Sequence, residues 1–175
     1  MKRLCAYFDD ESTAIIDKYE KKYGGSTAAL LRKALQCLKN NEEAQEKTSW
    51  ENIIAYVDFL ANMEHVILDI AHWKLIFTEI GKGSEKFWEE MRRIGEEHTK
   101  EYYDKGLKNI KDILEYVEKT NWYRLSIDSD TSFTLILAVS ESSEFIKNFF
   151  QGLLKNYPRK VEIIEDYKKI RIRVV

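Results

Sequence analysis

The sequence predicts an α+β fold, and three observations carry that prediction. Residues 2–8, KRLCAYF, place Leu4, Ala6 and Phe8 on one side and Arg3, Cys5 and Tyr7 on the other, the period-two pattern of a half-buried strand. From Asp9 to about Asn121 apolar residues recur every three or four positions instead, which is helical periodicity. Beyond Asn121, β-branched runs return in two pairs that flank one amphipathic helix. The expected order is a strand and two helices over residues 1–40, a linker over 41–49, and an α+β domain over 50–175 with three helices and then β-β-α-β-β.

Each element has its own local reason. Asp9 and Asp10 cap a first helix carrying Ile15, Ile16, Tyr19 and Tyr23, and Gly24 with Gly25 stops it, because glycine readily takes the left-handed conformation that ends helices. Ser26 caps a second helix whose apolar stripe runs through Ala29, Leu30, Ala34, Leu35 and Leu38. NNEEAQEKTS, residues 40–49, is polar without apolar periodicity, as in a linker or a solvated helix end. A capping box of Thr48 with Glu51 opens one long apolar run from Trp50 to Phe77, which GKGSE ends. Helices follow from Ser84 towards Asp104 and from Leu107 to Lys119. YRLSID and SFTLILAV around SDT form one hairpin, SSEFIKNFFQGLLKNY a helix ending before Pro158, and KVEII and KIRIRVV around EDYK a second hairpin.

Composition narrows the class. Of 175 residues, 44% are apolar and 33% charged, enough apolar material for a core and too much for general disorder. No apolar run approaches the length of a membrane helix, and no secretory signal opens the chain, so a cytoplasmic protein without membrane partners is expected. Cys5 and Cys37 fall on different elements and form no CxxC pair, which predicts reduced thiols and no cysteine metal site. The net charge of −2 conceals a segregation: residues 1–40 hold eight Lys/Arg against five Asp/Glu, while the rest hold twenty against twenty-five.

An alternating strand followed by about a hundred helical residues lacks a neighbour to pair with, unless the later hairpins supply one. An identical strand from a second chain meets the need: paired antiparallel about a two-fold axis, the ribbon buries Leu4, Ala6 and Phe8 and exposes Arg3, Cys5 and Tyr7 of both chains. A two-stranded ribbon of this kind fits the DNA major groove.

KRLCAYFDDESTAIIDKYEKKYGGSTAALLRKALQCL resembles the ribbon-helix-helix domain of small bacterial and archaeal repressors over residues 2–39. The shared features are a basic residue and alternating strand at the start, an acidic first-helix cap, glycine between the helices, and Ser26 ahead of an apolar helix with Arg32 and Lys33. The resemblance implies a homodimer, with dimers able to pair into tetramers on double-stranded DNA. It implies that Arg3, Cys5 and Tyr7 read base edges, that Gly25, Ser26 and Thr27 at the second helix start hold a backbone phosphate, and that Leu30, Leu31 and Leu35 join Leu4, Ala6 and Phe8 in the dimer core. Lys2 adds a further phosphate contact. Family members more often carry hydroxyl, amide or basic residues where this chain has Cys5 and Tyr7.

The remaining residues would sense or join something. Eighteen of the twenty-two aromatic residues lie after Asn40; Trp50, Trp73, Phe87, Trp88 and Tyr102 suit either a pocket for a small-molecule effector or a filled core, and their helical spacing favours the core. Arg92 and Arg93 suit an anionic ligand or a solvated face. His65, His72 and His98 are three imidazoles without the carboxylate or cysteine spacing of a metal site, so ordinary histidines and no metal are expected. No phosphate loop, GxSxG or HExxH is present, so neither enzymatic activity nor a cofactor is expected. The expected function is a dimeric, sequence-specific transcriptional regulator, most simply a repressor. The alternatives are a ribbon-helix-helix antitoxin, whose class has shorter and less ordered tails, and a small-molecule-binding module that only dimerises through the ribbon.

Overall fold

Helices form where apolar residues recur at three and four, mostly behind a side-chain cap, and the computed structural model has seven of them among its described residues, together with a four-stranded antiparallel sheet. It describes residues 5–23, 25–61, 65–81 and 83–175; Lys2, Arg3, Leu4 and Gly24 lie outside the described residues. The chain divides into two units, 1–58 and 59–175.

The first unit holds α1 (Asp10–Tyr23) and α2 (Thr27–Gln45) as a helical hairpin, then most of α3 (Trp50–Ala61). Residues 41–45, expected in the linker, continue α2 as a solvated helical end, because Glu, Ala and Gln propagate a helix as well as they solvate a loop. The cap of α3 falls one residue later than expected: Ser49 Oγ accepts from the Asn52 amide at 3.3 Å, while Thr48 Oγ1 instead accepts from Asn52 Nδ2 at 2.9 Å.

The second unit contains α4 (Ile70–Ile80), α5 (Glu85–Asp104), α6 (Ile110–Glu118), β1 (Tyr123–Ser129), β2 (Ser132–Leu137), α7 (Ser143–Leu153), β3 (Val161–Asp166) and β4 (Lys169–Val174). The run from Trp50 to Phe77, expected as one helix, makes two, so four described helices rather than three lie between residue 50 and the sheet. Residues 65–69 are not helical, and Asp69 begins α4 by accepting from the Ala71 amide at 2.8 Å. A short acidic side chain competes for the backbone in this way wherever it precedes a helix. For the same reason α6 starts at Ile110 rather than Leu107, since Asn109 Oδ1 accepts from the Asp112 amide at 2.9 Å.

The strands run in the order β1-β2-β4-β3, so two hairpins meet through their inner strands, with Phe133 opposite Ile172 and Leu135 opposite Ile170. Between the hairpins the chain crosses one face of the sheet as α7. Tyr123, Phe133, Leu135, Leu137, Ile170, Ile172 and Val174 point to that face and form the core with Ile113, Leu114 and Val117 of α6 and Ile146, Phe149, Phe150 and Leu153 of α7. The buried Tyr123 hydroxyl donates to the Leu114 carbonyl at 2.7 Å, which satisfies it inside the apolar core.

Helix α5 lies on α7 with backbones nearly touching. A Cβ on Gly152 would stand 2.9 Å from Arg92 Cα and closer still to its carbonyl oxygen; one on Gly95 would stand 2.9 Å from the Leu153 nitrogen and closer still to the Phe149 oxygen. Thr99 Oγ1 donates across the crossing to the Leu153 carbonyl at 2.9 Å. Backbone meets backbone here, so no rotamer change can relieve an added methyl. Gly152→Ala is therefore expected to cost about 3 kcal/mol or more, at the upper end of overpacking, and a thermal melt with near-unchanged stability would contradict the crossing.

Candidate functional site

The helical hairpin of the first unit is built by three local devices. Asp9 Oδ1 accepts from the Ser12 amide at 2.7 Å to open α1, and hydrogen bonding from the side chain and backbone of Ser12 holds the Asp9 carboxyl below its ordinary pKa. Gly25 takes φ +130°, a conformation that side-chain-bearing residues rarely adopt, and turns the chain between the helices. Ser26 then caps α2, its Oγ facing the Ala29 amide at 3.4 Å and its carbonyl accepting from Ala29 and Leu30. Gly25, Ser26 and Thr27 thus stand together and exposed at the start of α2, whose first amides lack helical partners. Lys33 reaches back from α2 to the Tyr23 ring, 3.9 Å from its centroid.

Within the first unit, the described residues leave the apolar side of this hairpin uncovered. No residue of α1 is buried. Leu30 is half-buried, whereas Leu31 is 41% exposed, Leu35 64% and Leu38 68%. Residues 5–9 form no strand within the chain, and all four described strands come after Trp122. Cys5, Ala6, Tyr7 and Phe8 are exposed, Tyr7 completely.

The aromatic residues expected around an effector do not gather around one space. Trp73 stacks on Trp122 at 5.8 Å and meets Phe77 and Phe145, filling the contact of α4 with α7. Phe87 and Trp88 pair with each other at 4.8 Å, Tyr102 is buried against Tyr116 at 5.3 Å, and Trp50 belongs to the first unit. Helical periodicity put Trp73, Phe87, Trp88 and Tyr102 on inward faces but could not say that the faces belonged to different contacts, and Trp50 is exposed. A pocket of about 420 Å³ opens instead where α7 leads into β3, lined by Gln151, Lys155, Tyr157, Arg159 and Lys160 among others, and none of the five aromatics lines it.

Arg92 is engaged by Glu85 at 2.6 Å and by the buried Asn148, and Arg93 by Glu90 and Glu97, so both guanidinium groups have partners of their own. His65 bonds the Phe59 carbonyl at 3.0 Å, His98 the Ile94 carbonyl at 2.8 Å, and His72 is exposed. Among the described residues no three His, Cys, Asp or Glu side chains come together as metal ligands, and no helix is long and apolar enough to cross a membrane.

A polar cluster that the sequence did not suggest joins the end of β3 to the start of α7. Ser143 Oγ donates to Glu165 at 2.7 Å, and Lys147 bridges Glu165 at 3.1 Å and Glu144 at 3.3 Å. Partial burial opposes the charge on Glu165, but the bonds from Ser143 and Lys147 outweigh it and hold the carboxyl below the usual glutamate range. Partial burial likewise opposes the charge on Lys147, and the two glutamates raise its pKa overall. These bonds fasten the start of α7 to the end of β3.

The sheet's second face is the other feature the sequence held without announcing. KIRIRV assigns a strand by alternation, and the register shows where the polar half goes: Lys169, Arg171 and Arg173 all stand on the face turned away from the helices, beside Ile136, Thr134 and Ser132 of β2.

Because the folded pKa of Glu165 is depressed, its contribution to stability is present above the unfolded value and is lost as the pH falls through the folded one. Melts of the Glu165→Gln variant are expected to lose part of the acid-side dependence seen below the ordinary glutamate range, and near neutrality the variant should be less stable than the unsubstituted chain; identical pH profiles would refute the linkage.

Compared with known proteins, the chain matches no family model, and no curated sequence matches it.

Proposed function

We propose that the chain is a dimeric, sequence-specific DNA-binding transcriptional regulator, a repressor that occupies operator DNA through its first 40 residues. The observation that carries this reading is the uncovered apolar side of the helical hairpin. Two capped helices with Leu31, Leu35 and Leu38 exposed and no buried residue in α1 bury too little surface to hold their own geometry. A second copy supplies the missing half, and residues 2–8 of both copies form the ribbon between them.

In this reading Arg3, Cys5 and Tyr7 of each copy enter the major groove. Arg3 donates to a guanine edge, while Tyr7 donates a hydrogen bond or packs on a thymine methyl. The exposed start of α2 holds a phosphate, where Ser26 fixes the helix end and the free amides of the first turn face outward. The second unit, with its own core, is the regulatory or oligomerising part.

Two measurements test the dimer. At an exposed position of a monomer, Leu35→Asp is nearly neutral, within about 0.5 kcal/mol. In a dimer core it buries an unpaired charge at about 3–5 kcal/mol, so sedimentation is expected to show loss of the dimer. An antiparallel ribbon made of residues 2–8 is centred on residue 5, which sets the two Cys5 side chains opposite each other within disulfide reach. Mild oxidation of a Cys37→Ser chain should therefore give a covalent dimer that thiol reductants reverse; a purely monomeric product would count against the ribbon.

DNA reading is tested separately. Arg3→Ala is expected to weaken operator binding by about 1–3 kcal/mol and relax sequence choice, whereas Ser26→Pro should weaken operator and random duplexes alike, because phosphate contacts carry no base information. If the Arg3→Ala dimer keeps both affinity and sequence choice, the ribbon is a dimerisation device and the regulator reading fails.

A further inference from the structure

The open face of the sheet carries a charge pattern that the first unit's function does not use. Outward-pointing residues fall into rows across the strands: Arg124, Ile136, Lys169 and Asp166 in one, Ser126, Thr134, Arg171 and Ile164 in the next, then Ser132, Arg173 and Glu162. Lys160 continues the same side of β3, joined to the end of β4 by the bond from the Val175 amide to the Lys160 carbonyl. The face therefore presents five cations, Arg124, Lys160, Lys169, Arg171 and Arg173, against three carboxylates, Asp128, Glu162 and Asp166.

The carboxylates are already engaged. Asp128 accepts from Ser126 and Thr134, Glu162 pairs with Lys160 at 3.0 Å, and Asp166 meets Arg171 at 3.5 Å. Arg124, Lys169 and Arg173 are exposed and make no ion pair among the described residues. This positive surplus sits in a part of the chain, residues 41–175, that is acidic as a whole.

We propose that this face docks the phosphate backbone of duplex DNA, with Lys169, Arg171 and Arg173 aligned on β4 and Arg124 in the row of Lys169, on β1 across the intervening β2. Alternate residues of a strand stand ~6.6 Å apart, so the three cations form a straight, evenly spaced row on the scale of successive backbone phosphates, carried by a sheet that holds its shape. Single-stranded nucleic acid is a poorer fit, because it needs aromatic platforms for its unstacked bases. The face has none; the exposed Tyr167 lies in the β3–β4 turn. An acidic peptide is also a poorer fit, since Ile136 and Ile164 are separated by the cations of β4 and make no apolar groove. The contacts would be blind to sequence, adding affinity rather than selectivity. The proposal does not rest on the N-terminal reading.

The test uses the full chain and a random-sequence duplex, with affinity measured across a range of salt. Each phosphate contact contributes about 0.9 to the slope of log affinity against log salt. The variant K169Q/R171Q/R173Q is therefore expected to lower the slope's magnitude by about 2 to 3 and to weaken binding at low salt, while R171K/R173K, which keeps the charges, retains both. A melting curve checks that the triple variant folds; R124Q/K169Q, which touches two exposed side chains on separate strands, gives a second reading of the slope.

Unchanged slope and affinity in a folded triple variant overturn the proposal. So does tighter binding of a single strand or of poly-glutamate than of duplex when that binding is lost in the triple variant. Arg3→Ala measured in parallel separates the two surfaces. If it leaves operator preference intact while the triple variant lowers the slope, the ribbon reading fails and the sheet face stands; the converse pattern removes the sheet face and leaves the ribbon.

Discussion

The second unit depends on how closely two helices approach. Glycine at 95 and 152 removes the side chains that would hold α5 off α7, and the resulting backbone contact sets everything packed above and below it. With the helices this near, Thr99 reaches the Leu153 carbonyl, Lys155 and Asn156 reach Glu96, and Arg92 reaches the buried Asn148. Asn148 in turn bonds the carbonyl and carboxylate of Glu144, so its amide is satisfied although nearly all of it is buried. Polar groups line the crossing where small residues let them meet, and aromatic residues fill the flanks where they do not. The opposite side of α7 is thereby free to press Ile146, Phe150 and Leu153 into the sheet.

The first unit is under the reverse constraint. Its helices are well capped and correctly turned, yet capping contributes only about 1 kcal/mol per helix end, and Leu31, Leu35 and Leu38 remain at the surface. Local signals determine where its helices begin and end, but an uncovered apolar stripe leaves the larger part of the folding free energy to be found elsewhere. The proposed dimer would supply those apolar contacts from a second copy of the chain.

The sheet shows how one alternation serves two ends. Its inward residues, Phe133, Leu135, Ile170 and Ile172, are almost wholly buried and offset the entropy lost in ordering the strands. Its outward residues are free of that demand, so arginine and lysine can occupy β4 with little loss of stability while remaining exposed to solvent. Within the second unit the described helices cover one side of this antiparallel sheet only, which makes such a face available.

Much of this was legible in the order of residues. The α+β class, the two hairpins around α7, and the α1 and α2 starts at Asp9 and Ser26 follow from periodicity and caps, because these depend on neighbours within four residues. Helix boundaries were less legible where two short polar side chains compete, as at Thr48 and Ser49, or where a cap interrupts an apolar run, as at Asp69. Tertiary structure alone decided the strand order, the backbone crossing at Gly95 and Gly152, the dispersal of Trp73, Phe87, Trp88 and Tyr102 among separate contacts, and the link of Glu165 to Ser143 and Lys147. Most of these join residues far apart in the chain. Periodicity says that a side chain faces inward, but which other inward face it meets is set by how all the elements fill one volume at once.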